Sequence, residues 1–186
     1  RVKNFRALKN IEVNLKPITI LVGANNSGKT TFLRALNSVL GITRNQINQD
    51  DLFVGKDGNQ TSKEIIIDIR IIPTDNKGNR IQYFDNKWTT KLGFIGVQTE
   101  SDNEYIAFRT TYLFGIEDNP NIKYQALTNW ESEQLNIDEL KGFNQIRNNI
   151  KLYFIDAQRD ILEDSKQRTS FFGKLVSQLD YGDNLE

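Results

Sequence analysis

With 186 residues, a mass of 21.5 kDa and 38% hydrophobic residues, the chain has the length of one domain and enough apolar side chain for a core. Lys and Arg number 24 against 24 Asp and Glu, so no net field calls for a polyanionic partner. Cysteine and histidine are absent, which excludes disulfides, thiolate or imidazole metal sites and a Ser-His triad; carboxylates, lysines, hydroxyls and backbone amides remain for any chemistry.

Residues 11–22 (IEVNLKPITILV) read as two short strands divided at Pro17, and 23–28 as a turn. From Lys29 to Leu40, apolar residues at 32, 33, 36, 39 and 40 mark one helix face, with Gly41 placed as a C-terminal cap. The polar stretch 42–63 reads as a surface loop. EIIIDIRII (64–72) predicts a strand, followed by a turn at 75–79 and a second strand near 80–84. Further strands are expected over 92–98, 104–114 and 122–128, together an antiparallel meander inserted after the first helix. Residues 132–149 are expected to be helical, LYFID (152–156) a buried strand, and 159–180 an amphipathic helix.

No apolar run approaches the roughly 20 residues that span a bilayer, so no membrane contact and a cytoplasmic location are expected. Methionine is absent even at position 1, which predicts a piece of a longer product. The basic residues Arg1, Lys3, Arg6 and Lys9 read as a solvated face rather than a nucleic-acid site. Likewise Tyr83, Phe84, Trp88, Tyr105, Phe108 and Tyr112 read as sheet packing rather than a base-stacking surface.

The chemistry concentrates in Gly23-Ala24-Asn25-Asn26-Ser27-Gly28-Lys29-Thr30, a complete G-x-x-x-x-G-K-[ST] phosphate loop. A chance match arises in about one chain in a hundred of this length. Here an apolar stretch leads in and an amphipathic helix leads out. Glycines let successive amides from Asn25 to Thr30 turn inward toward phosphate oxygens, and the helix N-terminus adds its dipole. Lys29 is placed for the β- and γ-phosphates, the Thr30 hydroxyl for Mg²⁺, and Thr31 for the α-phosphate. The expected ligands are ATP and Mg²⁺.

A hydrolytic acid is harder to place. Asp68 and Asp156 each end a hydrophobic run, and neither is followed by the Glu that many hydrolytic classes carry. Asp68 reads as an outward carboxylate on a half-buried strand; Asp156 is the candidate for a Mg²⁺-shell role. Asp160, Glu163 and Asp164 read as a solvated helix start rather than a nuclease metal site.

The stretches NFRALKNIEVNL (4–15) and ITILVGANNSGKTTFLRALNSVLG (18–41) resemble the N-terminal lobe of ABC-type ATPases of the RecF and structural-maintenance class. Within it, GANNSGKTTFLRAL is most similar to the overcoming-lysogenization-defect (OLD) family of ATP-dependent endonucleases, as is YFIDAQRDI (153–161). The resemblance implies an α/β P-loop NTPase lobe of ABC type carrying a β-rich arm, incomplete at its C-terminal end. It also implies two heads sandwiching two ATP molecules, hence a homodimer or higher oligomer, with DNA as partner in defence or DNA processing. Gln158 matches the family's Q-loop glutamine, which would reach Mg²⁺, and Arg159 would lie near nucleotide or partner. No signature loop appears, Thr169-Ser170-Phe171-Phe172-Gly173 being a faint echo, and the acidic strand and nuclease domain are expected beyond residue 186. Two other readings stay open: a RecF or chromosome-maintenance head without a nuclease, and a small nucleotide switch using Asp156. A transporter domain fits less well, because no aromatic precedes the loop after Arg6 to stack on adenine.

Overall fold

A computed structural model describes residues 1–41, 46–60, 62–115 and 119–154. Arg1–Leu152 form one compact unit; Tyr153–Glu186 form a second, of which two residues are described.

The first unit is built on a seven-stranded sheet in which every pairing is antiparallel. Its strands are β1 (Val2–Phe5), β2 (Leu8–Ile11), β3 (Glu64–Ile71), β4 (Val97–Glu100), β5 (Asn103–Leu113), β6 (Asn121–Asn129) and β7 (Gln134–Glu139). The order is β2-β1-β3-β5-β6-β7, with β4 paired to the first part of β5. Of the expected strands, 64–72, 104–114 and 122–128 correspond to β3, β5 and β6, whereas 92–98 is a helix end and a 3-10 turn as far as Ile95, with β4 beginning only at Val97. The antiparallel sheet continues into the N-terminal hairpin: Val2 pairs with Ile67, and Ile67 in turn with Thr110.

Alternation along the strands decides which face is covered. Ile65 and Ile67 of β3 and Ile106, Phe108 and Tyr112 of β5 point to one side. There they meet Phe32, Ala35 and Val39 of α1 (Lys29–Leu40), Leu92 of α2 (Asn86–Leu92) and Phe143 and Ile146 of α3 (Phe143–Asn149). Phe143 stacks on Tyr124 at 3.7 Å between ring centres and meets Phe108 edge-on at 5.6 Å.

The opposite face holds a small cluster of Tyr105, Ala107, Leu127 and Trp130 beside a charged network. Asp68 is buried there. Its carboxylate accepts two hydrogen bonds from Arg109, Nε at 2.7 Å and Nη2 at 2.9 Å, and one from Arg1 Nε at 3.2 Å. Arg109 also donates to Glu133, which Lys3 Nζ approaches closely from the other side. Asp68 is thus not the outward carboxylate expected from the sequence; it faces away from the helices and two arginines enclose it. The basic N-terminal stretch differs too, since Arg1, Lys3 and Arg6 are each ion-paired, Arg6 with Asp51 at 2.6 Å.

Other expectations shift. Residues 12–24 carry no strand, so the expected strands over 11–22 reduce to β2, ending at Ile11. The stretch 80–84 makes only one bridge, Thr74 to Arg80, because the Phe84 amide donates instead to the Glu104 carboxylate. Part of the helix expected over 132–149 is β7, because β6 offers an edge that pairs Leu127 with Leu135. Ile47 and Leu52 bury their side chains, so 42–63 is not wholly a surface loop. Leu152 forms a single bridge with Gly41, while the helix expected over 159–180 lies outside the described residues. No helix among the described residues is long and apolar enough to cross a membrane.

Candidate nucleotide-binding site

The glycine-rich loop runs from Gly23 into the first turn of α1. Gly28 occupies the N-cap position in a left-handed conformation (φ 92°, ψ 3°), with the Phe32 amide bonded to its carbonyl at 2.8 Å. Asn26 is also left-handed, at φ 67°, so the chain reverses twice within the motif. No side chain caps the α1 N-terminus and no acid lies in its first turn, which leaves amides and the positive dipole end facing solvent.

Gly28 is constrained sterically as well as conformationally. A Cβ there would sit 2.7 Å from Leu8 Cδ2, so β2 presses directly on the loop. Leu8 is buried against this glycine, 20 residues away in sequence, and no motif advertises it.

Lys29 folds back over the loop. Its ammonium donates to the carbonyls of Gly23 and Ala24, both at 2.7 Å, and to Ser27 Oγ at 3.3 Å. No carboxylate neutralises it among the described residues, so the charge is held in the cradle by neutral oxygens. Asn25, Asn26, Ser27 and Thr30 are exposed and Thr31 is half-buried. The structure therefore brings Gly23, Asn25, Asn26, Ser27, Gly28, Lys29, Thr30 and Thr31 into one short loop and helix start. Asp156 and Gln158 lie outside the described residues.

The residues present fit a polyphosphate: uncapped amides, a helix dipole and a lysine with no acidic partner among the described residues lie together in one exposed loop and helix start. For Mg²⁺ the loop offers the exposed Thr30 hydroxyl, a hard oxygen ligand of the kind that ion prefers.

At its other end α1 is held by α3 and β5. It carries no basic residue in its last turn, and Arg147 of α3 supplies the cation from outside: Nε donates to Val39 O at 2.7 Å and Nη2 to Ser38 O at 3.3 Å. Tyr112 of β5 donates to the same Ser38 carbonyl at 3.3 Å. Sequence reading missed this clamp, since a cap borrowed across more than 100 residues leaves no local signal.

Comparison with known proteins agrees with the loop. A family described as an AAA ATPase domain matches residues 1–180. An OLD nuclease from Thermus scotoductus is 56% identical over 41 residues, covering 22% of this chain and 8% of that protein. Endonuclease GajA from Bacillus cereus is 28% identical over 169 residues, 86% of this chain and 26% of the relative. The DNA replication and repair protein RecF of Lactobacillus acidophilus is 28% identical over 131 residues, 66% of this chain and 32% of that protein. The chain spans about a third or less of the length of each. With a phosphate loop at its centre and nucleases among its relatives, as its resemblance to the OLD group implies, the chain belongs to the AAA ATPase domain family of P-loop NTPases.

Proposed function

We propose that the chain is the ATP- and Mg²⁺-binding lobe of an ABC-type ATPase, the N-terminal part of an OLD-like ATP-dependent endonuclease acting on DNA. The observation that carries the proposal is the cradle at 23–31, where Lys29 is held by three neutral oxygens and no carboxylate. Bound Mg²⁺-ATP would supply a phosphoanhydride for hydrolysis. The chain's part is to bind and orient it: amides from Asn25 to Thr30 toward the phosphates, Lys29 exchanging Gly23 and Ala24 for phosphate oxygens, Thr30 toward the metal.

The lead-in to the loop supports the ABC-type arrangement. Ile18, Ile20 and Val22 are 84%, 81% and 89% exposed on a chain segment that has no ladder partner among the described residues, while Leu21 packs against the core. Such a segment suits a sheet completed by strands outside the described residues, and the proposal places the second acid, the signature loop and the nuclease domain beyond residue 186. Asp156 and Gln158 are assigned to the metal side of the site on the family resemblance, and a second head would complete each site in a dimer. Hydrolysis by these residues alone is therefore expected to be slow. The 56% identity to an OLD nuclease across the loop region favours a nuclease over a RecF-type repair head.

Titration of Mg²⁺ and a fluorescent ATP analogue against the chain and its Lys29→Ala variant tests the proposal. Each charge-assisted hydrogen bond lost is worth about 1.5–3 kcal/mol, so affinity should fall at least about 100-fold. Undiminished binding by Lys29→Ala would place the nucleotide elsewhere and refute the proposal.

A further inference from the structure

The aromatic residues of the arm divide sharply. Tyr105, Phe108 and Tyr112 are buried and Phe84 packs against the core, as sheet side chains should. Tyr83, Trp88 and Phe94 do not: they stand 57%, 39% and 41% exposed in the connection between β3 and β4. Single exposed rings are common, but Tyr83 and Trp88 are amphipathic rings set beside cations, which makes them a candidate contact surface.

The charges around them divide in the same way. Arg1, Lys3, Arg6, Arg70 and Arg109 are all ion-paired. Arg80, Lys87 and Lys91, which flank the two rings, are exposed and make no ion pair among the described residues. The acids nearby are already engaged by backbone amides. Asp75 accepts from Lys77 and Asn79, Asp85 caps α2 through the Trp88 amide at 2.9 Å, and Glu104 accepts from Phe84.

The platform is also held in place. Leu92 anchors α2 in the core, and Asn149 of α3 donates to the Lys91 carbonyl at 3.3 Å. On α2, Lys91 lies three residues after Trp88 and four after Lys87, so the ring and Lys91 are surface neighbours, as are the two ammonium groups.

We propose that the segment from Arg80 to Lys91 binds single-stranded DNA, with Tyr83 and Trp88 stacking on unpaired bases and Arg80, Lys87 and Lys91 contacting the phosphates. Charge complementarity selects a polyanion, and the exposed ring faces select one whose bases are accessible, which a duplex does not offer. The inference deepens the DNA-directed reading above by naming the contacting surface.

The test uses the full chain and a fluorescein-labelled oligothymidine of about 15 nucleotides, a length of the order of known single-strand site sizes. Anisotropy gives affinity as a function of salt, and tryptophan emission reports stacking. Of the two tryptophans, Trp130 is buried at 5% exposure, so quenching by DNA reports on Trp88. Tyr83→Ala and Trp88→Ala should each weaken single-strand binding about tenfold. Trp88→Phe should keep most of the affinity and lose the quenching. Lys87→Ala and Lys91→Ala should each flatten the slope of log affinity against log salt by about 0.7.

Mg²⁺-ATP binding is followed in parallel as a control on folding and on the nucleotide site. Wild-type affinity in both aromatic variants, or duplex binding tighter than single-strand binding and indifferent to them, overturns this surface and leaves the DNA-directed reading standing. Absence of any DNA binding by a chain that still binds Mg²⁺-ATP overturns the surface while sparing the nucleotide site, and leaves DNA contact to the nuclease domain that the proposal places beyond residue 186.

Discussion

Gly28 shows how much one position can carry. It must be left-handed to start α1 from the loop, and it must lack a Cβ because Leu8 occupies that space. The left-handed conformation alone costs a non-glycine residue about 1–2 kcal/mol. The 2.7 Å approach to Leu8 adds to that or pushes β2 away from the loop. Gly58 is the natural control, left-handed at φ 78° with nothing within 4 Å of the place a Cβ would take. Gly58→Ala should lower stability by about 1 kcal/mol and leave ATP affinity alone. Gly28→Ala should cost more stability and weaken ATP binding at least about tenfold, as read by urea denaturation and nucleotide titration. Equal effects of the two substitutions would show that Leu8 does not position the loop. At this scale the motif was legible, because its eight residues are contiguous and their conformations follow from local chemistry. Leu8 was not, because its role is a contact between distant segments.

Among elements, the meander was legible where strands bury one face: the alternation of Ile65, Ile67 and Ile106, Phe108 marks β3 and β5 without ambiguity. Legibility failed where tertiary partners override propensity. Residues 134–139 read as helix yet lie on the edge of β6, and Ile137 points into solvent at the rim. Asp68 read as a surface acid because the sequence shows its strand and not Arg1 and Arg109, which approach from the N-terminus and from β5.

That network joins β1, β3, β5 and the turn before β7, and it predicts a pH response. Hydrogen bonds from Lys3, then Arg109, hold the Glu133 carboxyl at a pKa of about 2, below its ordinary 4.5. For Arg109, burial opposes the charge, but hydrogen bonds to Asp68 and Glu133 outweigh it and raise its pKa. A carboxyl depressed on folding contributes its stability above the unfolded value and loses it as pH falls. Stability should therefore hold above about pH 4.5 and decline toward pH 2, with Glu133 contributing about 1–2 kcal/mol once solvent screening at its partly exposed side chain is allowed for. Urea denaturation at pH 7 and pH 3 should show this loss in the wild type and a smaller one in Glu133→Gln. Identical pH profiles for the two would show that the carboxylate does not stabilise the fold.

For the molecule as a whole, α1 ties the glycine-rich loop to the sheet. Its N-terminus continues the loop, while its last carbonyls are held by Arg147 of α3 and Tyr112 of β5. The relatives that share the loop are nucleases and a repair protein of which this chain covers about a third or less. The most direct test of nucleotide binding at the loop is amide hydrogen exchange with and without Mg²⁺-ATP. Slowed exchange is expected at residues 25–31, the amides that would meet the phosphates, with loss of that protection in Lys29→Ala. Binding that leaves those amides unprotected while slowing exchange elsewhere would contradict it.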